Sequence, residues 1–525
     1  MKRGFKGFAL LVLALFALTV ALGGCAGDRG VAPEDNNGPS ETGNMPPVGA
    51  PIQGGEIIVG IAQDLGSSLD PHQMVAAGTA GIREVLFNVF EGLVKPTPDG
   101  ELVPAVAEEF TVDGTLYTFT LRDGVTFHNG DLVTVDDIVY SIKRSADATS
   151  ATTFVSALSV VTRVEAVDNR TVEIEIAEPD NEFLALLTVA IIPSGHGDHA
   201  RNPVGTGPFR FVAHTLEESL VIERFDDYWG TPAYLDRVTF RIFAGGEAVV
   251  MALAAGSIDL ASHLTADMVR QLPPDYYYLV GAMNLVQALY LNHAVEPLDN
   301  LLVRQALNYA ADIQQIMDIL SDGMGHPVGS SMYPAFARYF HEGLVDFYPH
   351  DPERARTLLA QAGFPDGFDL TITVPSVYTP HVITAEVLVQ QFRAVGIDAV
   401  IELVEWTWWL SEVRGNRNFQ STVIGLDARS MTARAMLERF ETGAGGNFIN
   451  FSSEQFDETF ALARAATDSD EQVRLYRELQ EILVEEAANV YLQDLVNLVA
   501  INGRLTGFQF YPLYVMDMST VHFVE

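Results

Sequence analysis

Helix-like and strand-like segments alternate through residues 299–404, and this alternation restricts the fold more than any other feature of the chain. Apolar side chains recur at helical spacing in residues 299–320, behind Asp299 as an expected N-cap, and again in 352–362 and 384–395. The second and third of these segments are each followed by a β-branched run, FDLTITV and IDAVIELV. Such alternation is typical of a sheet packed between helices, and it predicts an α/β fold.

The part of the chain before these helices is richer in strand patterns. In residues 113–131, the side chains of Tyr117, Phe119 and Leu121 alternate with polar threonines, and Asp-Gly and Asn-Gly pairs mark the turns. This pattern predicts a β-hairpin with one buried face. Thr134 is then expected to cap a helix, because acidic residues follow it in the first turn.

Charge and cysteine content exclude several classes of function. The 525 residues include 69 acidic and 31 basic ones, and a net charge of -38 repels nucleic-acid phosphates and anionic lipid surfaces. Nucleic acid is therefore not expected as a partner. Cys25 is the only cysteine, which excludes an intrachain disulfide and any Cys-x-x-Cys site.

The first 54 residues read as an export and anchoring segment. Residues 1–24 place basic residues before an apolar run that is shorter than the ~20 residues of a membrane-spanning helix. The run ends in LGGC, which resembles the bacterial lipobox, so Cys25 is expected to be lipidated; an ordinary signal peptide with a chance cysteine is the alternative. Two or three acyl chains make a stable anchor. Residues 25–54 are rich in Gly, Pro and Asn and predict a disordered tether.

Six blocks of sequence resemble the bacterial extracellular solute-binding proteins of family 5, the oligopeptide, dipeptide and nickel-binding group of ABC importers. In chain order they read FEGLVKPTPDGELVPAVAEEF, YTFTLRDGVTFHNGDLVTVDDIVYSIKR, GTGPFRF, DDYWG, VRQALNYAAD and AGFPDGF. The resemblance implies a two-lobed α/β fold of the periplasmic-binding-protein-like type 2 (cluster C), with an extra α/β subdomain in the first lobe.

The resemblance also implies a division of the chain and a function. The first lobe is expected to be split into residues 55–85, 204–286 and 497–525, with the subdomain at 86–203 and the second lobe at 287–496. Such a protein is a monomer that binds a peptide or similar small solute by hinge closure and delivers it to an ABC permease and its ATPase. No enzymatic activity, metal or other cofactor is implied. The expected location is the cell envelope, on the periplasmic or extracellular face of the cytoplasmic membrane.

Candidate ligand-binding residues lie in the expected second lobe. The stretch VEWTWWLSEV contains Trp406, Trp408 and Trp409, which are expected either to line a cleft or to pack in the core. Where peptide-binding members carry an aspartate for the ligand amino group, this chain has Arg429, with Asp427 two residues earlier. An arginine in a cleft favours a carboxylate, so Arg429 is expected to bind one; a structural ion pair with Asp427 or another acid is the alternative.

Three further ligand-binding candidates are expected, and three other functions are compared with solute binding: a zinc site, an enzyme and a sensory receptor. Asn292, Tyr378 and His381 stand at positions where family members line the cleft. His196 and His199 suggest a zinc site, but no third ligand has suitable spacing. An enzyme is disfavoured because the chain has no Gly-x-Ser-x-Gly or Ser-x-x-Lys motif. A receptor that reports ligand to a membrane partner is compatible with the same fold.

Overall fold

The computed structural model describes most of the chain after residue 45. The described ranges are 46–62, 65–73, 80–150, 152–153, 155–428 and 431–525. All of them belong to one compact unit, Glu41–Glu525. Cys25 and Arg429 lie outside the described residues. Within the described ranges, each helix is too short or too polar to span a bilayer.

The first lobe contains a mixed seven-stranded sheet. Its strands, in spatial order, are Tyr276–Ala282, Val496–Asn502, Leu260–Leu264, Glu56–Ile61, Arg237–Ile242, Ser219–Arg224 and Phe209–Thr215. The strand Glu56–Ile61 is parallel to both of its neighbours and buries Ile57 and Val59. The helices of this lobe are Ala80–Leu86, Gly246–Ala254 and Ala266–Val269.

The second lobe contains a mixed six-stranded sheet. Its strands, in spatial order, are His326–Pro327, Asn489–Asp494, Leu285–Leu291, Ser421–Asp427, Asp369–Pro375 and Asp398–Val404. Helices cover the sheet: Leu301–Ala310, Ile313–Ser321, Pro352–Gln361, Thr379–Ala394, Trp406–Trp408, Arg434–Leu437, Glu454–Ala465 and Ser469–Glu485. The alternation of helices and strands predicted for this part is thus confirmed.

One predicted helix is divided in two. Residues 299–320, expected to form a single helix, are two helices that meet at Ala311 and Asp312. The side chain of Asp312 accepts a hydrogen bond from the Gln315 N–H at 3.0 Å, so it caps a new helix instead of continuing the first. Asp299 is not the N-cap either, since the side chain of Asn300 accepts from the Leu302 N–H at 3.0 Å.

The extra subdomain is a four-stranded antiparallel sheet with a helix. The strands, in spatial order, are Ala107–Asp113, Leu116–Leu121, Thr171–Ile176 and Val161–Ala166, and the main helix is Val135–Ala146. Buried and half-buried residues alternate in Leu116–Leu121, which confirms the predicted buried face. The predicted hairpin within residues 113–131 is wrong, because this strand pairs with Ala107–Asp113 and Thr171–Ile176 instead of with the residues after Asp123-Gly124. Thr134 is the residue before the helix, and its N–H donates to Asp137 Oδ2 at 2.9 Å, which confirms the predicted start. Shorter elements here are Val94–Pro96, Leu102–Pro104, Ser156–Val160 and Phe183–Leu186.

The chain crosses between the two large sheets twice. It passes from Tyr276–Ala282 to Leu285–Leu291, and back from Asn489–Asp494 to Val496–Asn502. The two crossings contact each other, since the Met283 N–H donates to the Leu495 carbonyl at 2.8 Å. Short paired crossings of this kind suit a hinge, because only a few backbone angles need to change for the lobes to rotate.

Candidate functional site

A cavity of about 680 Å³ lies between the two lobes. The first lobe and its subdomain contribute Arg83, Glu91 and Lys95 to the lining, and the second lobe contributes Trp409, Asp427 and others. Residues 513–515, near the carboxyl end, complete the wall. Since both lobes supply the lining, any solute in this cavity contacts both of them.

Trp409 forms an aromatic part of the wall. Its side chain is 1% exposed, and its indole N–H donates to Thr422 Oγ1 at 2.9 Å. Trp406 stacks on it with ring centroids 5.2 Å apart. Trp406 and Trp408 are not part of the described lining, and Trp408 is 37% exposed. Of the three predicted tryptophans, the structure therefore brings only Trp409 to the cavity.

Asp427 joins the lobes at the cavity. It ends the strand Ser421–Asp427, and its carboxylate forms an ion pair with Arg83 on the first-lobe helix Ala80–Leu86. Its backbone carbonyl accepts a hydrogen bond from Arg439 Nη2 at 2.9 Å. The predicted ion pair of Asp427 with Arg429 involves a residue outside the described ranges. Arg83 is a partner that the sequence did not indicate.

A second connection across the cleft, the Glu182 contact, consists of Asp180, Glu182, Arg434 and Tyr476. Arg434 Nη1 and Asp180 Oδ2 are 2.5 Å apart, and both side chains are 8% exposed. The Glu182 carboxylate accepts the Ala433 N–H and the Tyr476 hydroxyl, each at 2.6 Å. Every acid in this contact therefore has at least one donor.

The pKa values in the Glu182 contact follow from burial and charge pairing. Burial raises the pKa of Glu182 above its ordinary value, despite the Tyr476 hydroxyl and the Arg434 charge. Burial alone would lower the pKa of Arg434, but the carboxylates of Asp180 and Glu182 raise it. Arg434 is thus held in its charged form by the subdomain.

Glu91 lies in the part of the cavity wall that the first lobe and its subdomain supply. Its carboxylate accepts hydrogen bonds from Lys95 Nζ at 3.0 Å, from the Tyr228 hydroxyl at 2.6 Å and from Trp229 Nε1 at 2.7 Å. Burial and the Glu91 charge raise the pKa of Tyr228. With these three donors, Glu91 is a fixed part of the wall.

Arg414 and Arg439, called here the Arg414 pair, line the cavity from the second lobe. Arg439 donates to backbone carbonyls, with Nη2 at 2.8 Å from the oxygen of Ala435. Arg414 is half-buried and has no hydrogen-bond or ion-pair partner among the described residues. Burial and the neighbouring Arg439 charge lower the pKa of Arg414, and Asp427 opposes them.

The remaining predicted residues lie outside the described lining of the cavity. Asn292 is 1% exposed and donates to the Phe419 carbonyl at 2.8 Å. Nε2 of the buried His381 accepts the Gly425 N–H at 3.1 Å. The ring of the half-buried Tyr378 packs against Trp406 with centroids 5.3 Å apart. All three side chains have partners within the protein and are absent from the described lining of the cavity.

His196 and His199 are near each other but form no group of ligands. Their rings contact edge to face, with centroids 4.9 Å apart. Across the described ranges, no three His, Cys, Asp or Glu side chains are arranged to hold a metal ion.

Several cavity residues were missed by sequence reasoning. Arg83, Arg414 and Arg439 are far apart in sequence, and no motif joins them. Only Arg414 had a local signal, because it follows Trp409 by five residues in the same aromatic segment. The Glu182 contact joins residues more than 250 positions apart and had no local signal.

Comparisons with known proteins agree with this geometry. The family model described as bacterial extracellular solute-binding proteins, family 5 middle, matches residues 101–448. The glutathione-binding protein GsiB of Pectobacterium atrosepticum is 26% identical over 472 residues, covering 85% of this chain and 90% of that protein. The dipeptide-binding protein of Escherichia coli is 25% identical, covering 79% and 84%.

A solved structure has the same fold. The periplasmic binding protein DppA of Helicobacter pylori, in complex with the peptide STSA, superposes with a TM-score of 0.79. It is 26% identical, and the match covers 90% of this chain and 99% of DppA.

Proposed function

The chain belongs to the bacterial extracellular solute-binding proteins of family 5, and on that premise we propose that it captures a peptide or peptide-like solute for an ABC importer. The observation that carries this proposal is the cavity of about 680 Å³ with lining from both lobes. Ligand sites commonly have volumes of ~300–1,000 Å³, so a short peptide suits this one. The relatives include a glutathione-binding and a dipeptide-binding protein, which supports the same class of solute.

The charges of the cavity support a solute that carries both signs. Six basic residues of the described lining face four acidic ones, although the whole chain has a net charge of -38. Glu438 lines the cavity and has no ion-pair partner among the described residues. A zwitterionic peptide matches such a mixed surface better than a neutral sugar, because unpaired charges in a closed cleft are costly.

Delivery depends on closure of the two lobes. A solute favours the closed state only through contacts that it makes in that state and not in the open one. The paired crossings near Asn284 and Leu495 provide the hinge for this movement. The proposal includes the division of the chain into a split first lobe, a subdomain and a second lobe, with segments at 55–85, 86–203, 204–286, 287–496 and 497–525. The closed protein is then recognised by the permease, outside the cytoplasmic membrane.

A thermal-shift screen tests the proposed function. Di- to tetrapeptides and, separately, neutral oligosaccharides are added to the purified protein. A bound ligand at 100 times its Kd stabilises the folded state by ~2.7 kcal/mol, so a binding peptide raises the melting temperature. Isothermal calorimetry then measures Kd. Stabilisation by oligosaccharides and by no peptide would overturn the proposal.

A cavity-filling variant provides the control for this screen. Ala435 lines the cavity from the helix Arg434–Leu437, so Ala435→Trp is expected to abolish peptide binding by occupying the space. Ala394→Trp introduces the same side chain at the exposed end of Thr379–Ala394, outside the cavity, and is expected to retain binding. Equal binding by both variants would contradict this location of the site.

We also propose that Cys25 carries a lipid anchor. The support is the sequence, namely the short apolar run that ends in LGGC and the tether that follows. Cys25→Ala is expected to release the protein from the membrane fraction or leave it unprocessed, measured by fractionation and intact mass. Normal processing with persistent membrane attachment would contradict lipidation.

A further inference from the structure

Three consecutive residues of the subdomain, Asp180, Asn181 and Glu182, form hydrogen bonds with the second lobe. The first and the third of them belong to the Glu182 contact. Between them, Asn181 Nδ2 donates to the carbonyls of Ala466 and Thr467 at 3.2 and 3.3 Å. One short segment of the subdomain therefore bonds to two separate parts of the second lobe, the beginning of one helix and the turn between two others.

The bonds of the Glu182 contact are complete within the protein. Asp180 Oδ1 accepts the Glu182 N–H at 2.9 Å, and Asp180 Oδ2 accepts Arg434 Nη1. Glu182 receives a backbone N–H and the Tyr476 hydroxyl from the second lobe. Asp180, Glu182 and Tyr476 are absent from the described lining of the cavity. The bonds to Glu182 therefore form without any contribution from a solute.

The subdomain is attached to the first lobe. Its two ends adjoin the first-lobe helix Ala80–Leu86 and the first-lobe strand Phe209–Thr215. Its Glu91 accepts hydrogen bonds from Tyr228 and Trp229 of the first lobe at 2.6 and 2.7 Å. Because of these attachments, rotation about the hinge carries the subdomain away from the second lobe. The Glu182 contact therefore exists only while the lobes are closed.

We propose that the Glu182 contact, together with Asn181, is a latch that holds the two lobes closed in the ligand-free protein. The closed form is then stabilised by the chain itself, and a bound solute adds its own contacts to this stabilisation. The inference rests on the proposed function only for its effect on binding. The latch itself is a property of the ligand-free chain.

The burial of the latch makes the closed form sensitive to the loss of a single donor. Asp180 and Arg434 are each 8% exposed at the side chain, and Tyr476 is fully buried. Without one of its donors, the buried Glu182 carboxylate is left incompletely hydrogen-bonded in the closed form, whereas water replaces the donor in the open form. Removal of a donor therefore shifts the equilibrium towards the open form and leaves the cavity lining unchanged.

The latch is expected to affect all solutes alike. The apparent Kd of a solute equals the Kd of the closed form divided by the closed fraction. A weaker latch lowers this fraction, so it raises the apparent Kd of every solute by the same factor. Substitution of a residue that contacts the solute changes the ranking of solutes instead.

The test uses Tyr476→Phe in the full chain without ligand. This change removes the hydroxyl that donates to Glu182 and keeps the buried ring. The closed-to-open ratio is expected to fall by about tenfold, the size of one hydrogen bond to a charged group. Hydrogen–deuterium exchange at the Ala433 and Arg434 N–H groups is then expected to be about tenfold faster, because Glu182 accepts both of them in the closed form.

Tyr277→Phe is the matched control. Its buried hydroxyl donates to the Leu505 carbonyl at 3.0 Å, and both residues lie in the first lobe. The control loses a buried tyrosine hydroxyl without altering the latch. It is therefore expected to keep the wild-type exchange rate at Ala433 and Arg434.

Asn181→Ala weakens the latch at a different point. The side chain is exposed, so this variant is expected to fold even if circular dichroism shows that Tyr476→Phe does not. Asn181 bonds to the turn at Ala466 and Thr467 and does not contact Ala433. Faster exchange at Ala433 in this variant thus reports separation of the lobes and not a local change.

Calorimetry with the peptides of the thermal-shift screen completes the test. In Tyr476→Phe, the Kd of each peptide is expected to rise by one common factor of at most about tenfold, with the ranking of peptides unchanged.

The outcomes separate the latch from the proposed function. Wild-type exchange rates in both Tyr476→Phe and Asn181→Ala, or equal acceleration by Tyr277→Phe, overturn the latch. A changed ranking of peptides in Tyr476→Phe also overturns it, because that residue then acts on the solute. Absence of peptide binding by the wild type overturns the proposed function and leaves the ligand-free latch standing.

Discussion

The Glu182 contact and the Arg414 pair both place arginines of the second lobe at the cleft, but in opposite electrostatic situations. In the Glu182 contact, Arg434 is 8% exposed and meets Asp180 at 2.5 Å, beside the Glu182 carboxylate. In the Arg414 pair, two cations line the same cavity and neither has an ion-pair partner among the described residues. The Glu182 contact joins the subdomain to the second lobe without any ligand, whereas the Arg414 pair has no carboxylate partner among the described residues.

The same substitution at the two sites is expected to give the largest difference in stability. Arg434→Gln leaves two buried carboxylates without their cation, which costs about 3–5 kcal/mol for a buried pair and lowers the melting temperature. Arg414→Gln removes a charge that has no described partner, so the ligand-free protein is expected to change by less than ~0.5 kcal/mol or to become slightly more stable. Differential scanning calorimetry of both variants measures the contrast. Equal losses would show that Arg414 is a structural residue.

A smaller effect on stability is expected from His381, a buried residue outside the described lining of the cavity, because burial disfavours its charged form. Burial lowers the pKa of His381 from 6.5 to about 3, and its Nε2 accepts the Gly425 N–H. Between these two values the unfolded chain binds a proton that the folded chain does not. Stability is therefore expected to fall as the pH falls from about 6.5 towards 3, by up to ~1.4 kcal/mol per pH unit.

His381→Gln isolates this contribution, because glutamine can still accept the Gly425 N–H but does not titrate. The difference in melting temperature between wild type and variant is expected to change in favour of the variant as the pH falls from about 7 to about 5. A difference that is independent of pH over this range would contradict a buried neutral histidine.

The sequence predicted the architecture better than the detail of individual helices. Hydrophobic periodicity identified the buried face of Leu116–Leu121 and the alternation in the second lobe, because one buried face imposes a local pattern. The same periodicity runs through residues 299–320 and did not reveal the break at Asp312. The spacing of apolar residues is the same on both sides of Asp312, so it does not show that a new helix begins there. The break is recognised from the hydrogen bond that the Asp312 side chain accepts from the Gln315 N–H.

The candidate site was predicted only in part. Trp409 and Asp427 are in the lining of the cavity, while Asn292, Tyr378 and His381 are outside its described lining. Residues at one cleft surface come from segments that are distant in sequence, so their spacing carries no information about which of them meet. Resemblance to a family shows which position of this chain corresponds to a known cleft position. It does not show in which direction the side chain at that position points.

The amino-acid sequence was sufficient for three conclusions: the family, through its motif blocks, the α/β class, through hydrophobic periodicity, and the excess of acidic residues. The folded structure was needed to show which cations have partners. Arg83 pairs with Asp427 and Arg434 with Asp180 across more than 250 positions of chain, and Arg414 and Arg439 line the cavity without a carboxylate partner among the described residues. Ion pairing depends on distance in space, which chain folding sets and sequence order does not.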